Sequence, residues 1–199
     1  MTLSKKLPLA LTATRAILGP VVLLLAILWP DPIAFGLCLT IAFLSDIFDG
    51  IIARRLNIAT EGLRRLDSIA DSIFYIGAAG AAWILHPQAI LDRIYPILIL
   101  LALEILRYII DYYKYRRETS YHMWSSKLWG IFLFIGFMSL LAFNDQGIFV
   151  TLFIYIGIVA DIEGLAISLT LKKWTHDVPT IFHALRLRAA QRNEKNIGY

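Results

Sequence analysis

The sequence predicts an all-α integral membrane protein, a bundle of six transmembrane helices with cytoplasmic N- and C-termini. Of its 199 residues, 58% are hydrophobic and only 17% are charged, whereas charged residues make up about 25% of a typical soluble domain. The mean hydropathy of +0.67 agrees with that assignment. Six long apolar runs and an uneven distribution of basic residues complete the prediction.

Each of the six runs has the length of roughly 17–25 mostly apolar residues that a transmembrane helix requires. In chain order they are predicted at about residues 8–30, 32–53, 66–86, 94–113, 127–143 and 147–171. The first run has no small-residue cleavage site after it, so we expect it to remain in the mature protein. Short loops favour a single membrane domain over residues 1–175. A basic cytoplasmic tail follows over 176–199 and is expected to form an amphipathic surface helix.

Basic residues determine the predicted orientation. They concentrate in the N-terminus, in the loops after the second and fourth helices, and in the tail, while the three other loops together contain only Arg93. The positive-inside rule then places both termini in the cytoplasm. The net charge of +4 is accounted for by this topology and by attraction to anionic membrane lipids, so nucleic acid is not an expected partner.

Four aspartates stand between the second and third runs, in the stretch "SDIFDGIIARRLNIATEGLRRLDSIAD", residues 45–71. Asp46 and Asp49 share one face of a helix, as do Asp67 and Asp71, because residues three or four apart are neighbours on a helix. A short link lets the two pairs face each other at the cytoplasmic boundary. An ionised aspartate in a membrane costs about 2.5–3.5 kcal/mol, which a divalent cation with oxygen ligands, such as Mg²⁺, Mn²⁺ or Ca²⁺, would offset.

An alternative is an interfacial cluster of ion pairs between these aspartates and the neighbouring arginines, Arg54, Arg55, Arg64 and Arg65. The fixed spacing favours the metal site. The pattern D-x-x-D-G-x-x-A-R, twelve residues, then D-x-x-x-D is formed by Asp46, Asp49, Gly50, Ala53, Arg54, Asp67 and Asp71. It resembles the signature of the CDP-alcohol phosphatidyltransferase family. The opening segment "LPLALTATRAILGP" is also similar to that family, at Pro8, Thr12 and Arg15.

The resemblance implies an enzyme that transfers a phosphatidyl group from CDP-diacylglycerol to the hydroxyl of a polar acceptor and releases CMP in phospholipid biosynthesis. It implies two Mg²⁺ or Mn²⁺ ions, a homodimer, and an active site that faces the cytoplasm at a bacterial inner membrane. The implied metal ligands are Asp46, Asp49, Asp67 and Asp71. Asp71 is also the expected general base. The implied contacts of the CDP-lipid are Thr12, Asp46, Asp49, Gly50, Ala53 and Arg54.

Three positions in this segment have further interpretations. Gly50 and Ala53 would also suit tight helix packing, since small residues at this spacing are common where membrane helices meet. The family pattern has a second glycine at position 63, where this chain has Leu63, and a glycine occurs one place earlier as Gly62. A leucine there is expected to narrow the cytidine pocket, while the aspartates are intact.

The acceptor is predicted to be glycerol 3-phosphate, with serine or inositol phosphate as alternatives on the same scaffold. A phosphorylated acceptor requires fixed cations, which Arg107 and Lys127, assisted by Arg64, would supply. The alternative for the fourth helix is an internal ion-pair network of Glu104, Arg107 and Asp111. Asp161 and Glu163 are expected to have partners on neighbouring helices. Two other classes of function are a cation transporter, which the absence of repeats disfavours, and a non-catalytic membrane protein with the family fold.

Overall fold

The computed structural model describes residues 3–56, 60–116, 121, 123–175 and 177–197, and these residues form helices and short connections without strands. The helices are α1 (Leu3–Leu28), α2 (Pro32–Arg55), α3 (Glu61–Leu85), α4 (Pro87–Leu91), α5 (Ile94–Tyr115), α6 (Trp124–Phe137), α7 (Ile148–Thr170) and α8 (Ile181–Ile197), with a π-helical turn over Met138–Ala142 directly after α6. The predicted all-α class is confirmed.

Within the described residues, five helical segments are long and apolar enough to cross a membrane. They are Leu7–Leu28, Pro32–Arg55, Arg65–Leu85, Trp124–Ala142 and Ile148–Thr170. These bounds lie within about three residues of the predicted runs, and they identify an integral membrane protein. Helix α5 has sufficient length at 22 residues, but its four charged side chains are spaced so that they interrupt every long apolar stretch within it, and it is not among the five. The sixth span and the orientation of the termini stay predictions.

The chain forms two compact units. The N-terminal unit comprises Met1–Asp92 and Phe134–Val150, and the C-terminal unit comprises Arg93–Leu133 and Thr151–Tyr199. The predicted division into a membrane domain over 1–175 and a tail over 176–199 stays a prediction. Helix α8 lies within that tail.

Glycines set the helix packing of the N-terminal unit, where α1 contacts α2 and α3. A Cβ added to Gly19 on α1 would lie 2.5 Å from the carbonyl oxygen of Ile73, and a Cβ added to Gly77 on α3 would meet the backbone of Gly19. The two backbones therefore touch, which is the close approach that small residues permit between membrane helices. Helix α3 continues this small surface with three buried alanines, Ala78, Ala81 and Ala82.

Capping residues fix where α2 and α3 begin. The Asp31 carboxylate accepts hydrogen bonds from the backbone N–H groups of Ile33 and Ala34, and Pro32 occupies the first turn of α2. The Thr60 hydroxyl accepts a hydrogen bond from the Leu63 N–H at the start of α3. Such caps satisfy donors that have no partner inside the helix. They fix the first turns of α2 and α3, the two helices that carry the four aspartates.

In the C-terminal unit, α5 supplies hydrogen-bond donors to the last turn of α7. The Lys114 ammonium donates to the Ser168 carbonyl at 2.6 Å, and the Tyr115 hydroxyl lies 2.9 Å from the same carbonyl and from that of Leu171. Carbonyls at a helix C-terminus lack partners within the helix, and a cation is favourable there. Helix α8 packs on the core of this unit through the buried Ala184.

Candidate active site

Both pairs of aspartates lie at the adjoining ends of α2 and α3, and their carboxylates converge. One oxygen from each of Asp46, Asp49 and Asp67 lies within 4.8 Å of the others. Asp49 is buried, with 5% of its side chain exposed, whereas Asp46 is 48% exposed. The predicted approach of the two pairs is therefore present in the structure, although the roles of the four carboxylates stay predictions.

A single guanidinium group contacts all four carboxylates. Nη1 of Arg15, on α1, pairs with Asp46 and Asp71. Nη2 pairs with Asp49 at 2.6 Å and with Asp67 at 2.5 Å. Only 2% of the Arg15 side chain is exposed, and an arginine buried in a membrane segment requires such compensation by acidic partners. We refer to Arg15 with Asp46, Asp49, Asp67 and Asp71 as the Arg15 cluster.

The central position of Arg15 was not predicted from the sequence. The ion-pair alternative paired the aspartates with the arginines at positions 54, 55, 64 and 65, but in the described side chains their ion pairs are made with Arg15. The side chain of Arg64 lies outside the described part of the chain. The available signal was an arginine within the first apolar run, since an unpaired charge at that depth is costly and requires a partner elsewhere.

Thr12 lies one turn before Arg15 and borders the cluster. Its hydroxyl is 3.0 Å from the Pro8 carbonyl and 3.3 Å from Oδ2 of Asp49, and the residue is buried, with 4% exposed. A hydroxyl has one proton to donate, so it can satisfy either of these oxygens. The structure thus brings Thr12 to the same carboxylates that the sequence pattern singled out.

The remaining members of the pattern lie along the end of α2. At Gly50, the three atoms nearest to an added Cβ would all belong to the Arg54 side chain, at 3.5–3.9 Å. Close approach of a neighbouring backbone therefore does not explain this glycine, in contrast to Gly19. Ala53 is buried, with 7% exposed, as the packing alternative expects, and Arg54 is exposed.

Leu63 occurs where the family pattern has glycine, and it occupies a regular position in the first turn of α3. Its backbone N–H donates to the Thr60 hydroxyl at 3.2 Å. The preceding Gly62 has open space around it, since an added Cβ would meet nothing within 4 Å. Leu63 therefore does not interrupt the start of α3, the helix that carries Asp67 and Asp71.

The donor set suits a hard divalent cation. Asp46, Asp49 and Asp67 provide carboxylate oxygens from two helices, and oxygen ligands are what Mg²⁺ and Mn²⁺ prefer. Asp71 adjoins them, because it shares Nη1 of Arg15 with Asp46. The side chains present therefore fit one or more such ions.

A small pocket opens beside the cluster. It is lined by the charged side chains of Arg15, Asp46 and Asp71 and by aromatic side chains that include Phe43, Phe74 and Phe134. The Phe43 and Phe134 rings are stacked with centroids 4.3 Å apart. Charged and aromatic side chains thus line the same small space beside the cluster.

The comparison with known families agrees with this geometry. The family model described as CDP-alcohol phosphatidyltransferase matches residues 5–163. The chain belongs to this family. The match includes every residue of the Arg15 cluster and most of α1 to α7. No curated protein and no solved structure matches the chain. Membership in the CDP-alcohol phosphatidyltransferase family identifies the general reaction as transfer of a phosphatidyl group from a CDP-alcohol donor, within a membrane.

Two of the three residues predicted to bind the acceptor, Arg107 and Lys127, lie in the C-terminal unit, whereas the third, Arg64, belongs to the N-terminal unit. Nη1 of Arg107, on α5, lies 2.9 Å from Oδ1 of Asp161, on α7, and the Asp161 side chain is fully buried. Lys127, in the first turn of α6, lies with its ammonium 4.4 Å from the centroid of the Trp124 ring, a cation–π contact. The role of these cations in acceptor binding stays a prediction.

Two charged residues of α5, Arg107 and Asp111, have partners on α7. Asp111 accepts a hydrogen bond from the Ser168 hydroxyl, and Arg107 pairs with Asp161. Glu163 accepts hydrogen bonds from the Ser125 hydroxyl at 2.6 Å and from the Ile181 N–H at 3.2 Å. The prediction that Asp161 and Glu163 have partners on neighbouring elements is therefore confirmed.

Proposed function

We propose that this family member transfers the phosphatidyl group of CDP-diacylglycerol to the hydroxyl of glycerol 3-phosphate and releases CMP, in a reaction that depends on Mg²⁺ or Mn²⁺. One observation carries the proposal. The four aspartates of the family pattern, which lie as far as 25 positions apart along the chain from 46 to 71, converge on one point in the structure. Such a concentration of carboxylates within membrane helices is costly unless cations compensate it.

Charge supports two metal ions. Four ionised carboxylates and the Arg15 guanidinium leave three negative charges. With one divalent ion the cluster would still be negative by one charge, and it would repel the pyrophosphate of the donor. With two ions the cluster would carry one positive charge. When bound, such ions stabilise the negative charge that develops on the attacking and leaving oxygens.

We assign Asp71 the role of general base. It lies outside the group of three aspartates whose oxygens are mutually within 4.8 Å, and the 36% exposure of its side chain leaves it accessible to an acceptor hydroxyl. Asp71 would accept the proton of the acceptor hydroxyl as the new oxygen–phosphorus bond forms. The bond from phosphorus to the oxygen of CMP breaks in the same transfer.

Residues beside the cluster would hold the donor. Gly50 contributes no side chain to the surface of α2 beside the aspartates. The flexible guanidinium of Arg54 lies over this surface, and it can move to bind a phosphate. Thr12 and Ala53 would complete the contacts of the cytidine diphosphate group. The donor would approach from the cytoplasmic side of a bacterial inner membrane, and the protein would act as a homodimer.

The experiment that tests the proposal is CMP release by the purified protein in detergent or lipid. CDP-diacylglycerol and Mg²⁺ or Mn²⁺ would be supplied, with glycerol 3-phosphate, serine, inositol phosphate and inositol offered separately. We expect release with glycerol 3-phosphate, and its loss with a chelator of divalent ions. Release with serine or inositol phosphate alone would show that the acceptor is that compound and that the transfer reaction is the one proposed. Folded protein that binds the donor but releases CMP with none of the four would contradict the proposal.

For acceptor recognition, Arg107→Gln is expected to raise the KM for glycerol 3-phosphate by roughly 10- to 100-fold with a smaller change in kcat. A charged hydrogen bond to phosphate contributes about 1.5–3 kcal/mol, and the 27% exposure of the Arg107 side chain leaves it accessible to a ligand. Lys127→Gln should act in the same direction.

Arg93→Gln is the matched control for these substitutions, because Arg93 contacts the Thr151 hydroxyl in the same unit and is predicted to lie on the opposite membrane face. It should leave the KM unchanged. An unchanged KM in both Arg107→Gln and Lys127→Gln would remove these residues from the acceptor site.

A further inference from the structure

Arg15 is the one member of the Arg15 cluster that does not supply a carboxylate. Resting on the proposed function, we propose that Arg15 is an internal counter-cation with two opposite effects. It weakens the binding of divalent metal ions to the four aspartates. It also supplies the positive charge by which the metal-loaded cluster attracts the pyrophosphate of the donor.

The first effect follows from the contacts of the guanidinium. Its two terminal nitrogens pair with one oxygen from each of the four carboxylates. These carboxylates are also the candidate metal ligands, so a metal ion and Arg15 compete for the same acidic groups. Nε of Arg15 is buried and has no hydrogen-bond partner in the described part of the chain. The carboxylates therefore provide the described polar contacts of this group, and they are not free to bind a metal without cost.

Burial makes this competition strong. The Arg15 side chain is 2% exposed and the Asp49 side chain 5%, so water screens their attraction weakly. Arg15 also cannot lose its proton, because an arginine remains charged at any ordinary pH. The backbone that carries Arg15 is also held close to the aspartates of α3, since Gly19, one turn further along α1, lies against the backbone of α3.

The second effect follows from the charge that remains after metal binding. Two divalent ions would neutralise four carboxylates completely, so without Arg15 the loaded cluster would have no net charge. With Arg15 it would carry one positive charge. An anionic donor would then be attracted only after both ions are bound, which orders metal binding before donor binding.

These two effects differ in sign, which separates the proposal from a purely structural role for Arg15. If Arg15 only held α1, α2 and α3 together, its removal would loosen the aspartates and weaken the binding of metal and nucleotide alike. If it is a counter-cation, its removal tightens metal binding and weakens nucleotide binding. Neither comparison requires turnover.

The test uses Arg15→Met, which keeps much of the side-chain volume and removes the charge, and Arg15→Lys, which keeps the charge on a group that cannot bridge four carboxylates. Mn²⁺ affinity of the purified, metal-stripped protein would be measured by electron paramagnetic resonance. CDP would then be titrated into Mn²⁺-saturated protein by calorimetry. Arg93→Met is the control, because Arg93 lies in the other unit and contacts Thr151.

For Arg15→Met we expect the Kd for Mn²⁺ to fall by about tenfold or more and the Kd for CDP to rise by about tenfold or more. Arg15→Lys should show the same directions with smaller changes, and Arg93→Met should change neither constant. Metal-free Arg15→Met should also unfold at a lower temperature than the metal-free unsubstituted protein, and Mn²⁺ should restore more of its stability.

Mn²⁺ binding that is unchanged or weaker in folded Arg15→Met would overturn the proposal, as would unchanged affinity for CDP. If Arg15→Met folds only when Mn²⁺ is present, the counter-cation role is supported. If Arg15→Met does not fold in either condition, the test is the Mn²⁺ affinity of Arg15→Lys. Tighter binding than in the unsubstituted protein would support the proposal, and unchanged or weaker binding would overturn it. Absence of Mn²⁺ binding by the unsubstituted protein, or binding that Asp49→Asn leaves unchanged, would instead contradict the metal site of the proposed function.

Discussion

Replacing Asp71 with asparagine is expected to lower the rate of CMP release by roughly 10²–10⁴-fold, the usual contribution of a general base. The amide has nearly the shape of the carboxylate but cannot accept the proton of the acceptor hydroxyl. Three carboxylates on two helices would remain to hold metal ions. Affinity for CDP-diacylglycerol should therefore change much less than the rate does. The measurement is CMP release at saturating donor and acceptor, beside a binding titration with the donor.

The control for Asp71→Asn is Asp92→Asn. Asp92 follows the short helix α4 and is not a member of the Arg15 cluster, and its carboxylate accepts a hydrogen bond from the Gln88 side chain at 2.7 Å. This variant should release CMP at the rate of the unsubstituted protein. Full activity of Asp71→Asn would exclude Asp71 as the base. A large loss of donor affinity in that variant would show that Asp71 acts chiefly in binding.

The helices could be predicted because their signal is local. A membrane helix requires a continuous apolar run, and such runs are visible along the sequence whatever the rest of the chain does. Helix α4 has only five residues and the π-helical turn another five, so neither produces a run of its own. For α5 the same criterion is ambiguous, since Glu104, Arg107, Asp111 and Lys114 interrupt its apolar face.

The aspartates could be predicted for a similar reason, because spacings of three and four place each pair on one helix face before any tertiary contact is known. Arg15 could not be assigned a partner in this way. Its contacts lie 31 to 56 residues away along the chain, and they depend on how α1 packs against α2 and α3. Ion pairs between distant positions leave no periodic pattern in a single sequence.

The same limit applies in the C-terminal unit. The charges of Arg107 and Asp161 indicate that each requires a partner, and the structure shows that each is the partner of the other. Asp111 also has a partner on α7, but this is the Ser168 hydroxyl, which no charge pattern reveals. The sequence thus predicts that polar contacts exist between these membrane helices, whereas only the folded structure shows which residues are partners.

Gly77→Ala is expected to destabilise the N-terminal unit by roughly 1–3 kcal/mol, the usual cost of overpacking. The added Cβ would lie 2.6 Å from the carbonyl carbon of Gly19 and 3.0 Å from its Cα. These are backbone atoms, which cannot rotate away as a flexible side chain would. Helices α1 and α3 would have to separate. The melting temperature of the purified protein should fall by roughly 3–10 °C.

Gly130→Ala provides the matched control, because an added Cβ at Gly130 would meet nothing within 4 Å. Alanine is favoured over glycine inside a helix by up to about 1 kcal/mol, so this variant should melt at the same temperature or higher. A Gly77→Ala protein as stable as Gly130→Ala would show that α1 and α3 do not cross with their backbones in contact.

The crossing also determines the geometry of the Arg15 cluster. Arg15 lies one helical turn before Gly19, and Asp71 lies two residues before Ile73, whose carbonyl faces Gly19. Separation of α1 from α3 would therefore move the guanidinium away from Asp67 and Asp71 while its contacts with α2 remain. Folded Gly77→Ala should consequently bind Mn²⁺ more tightly than the unsubstituted protein, in the same direction as Arg15→Met, although it is less stable. Lower stability together with unchanged Mn²⁺ affinity would show that the packing of α1 on α3 and the charge balance of the cluster are independent.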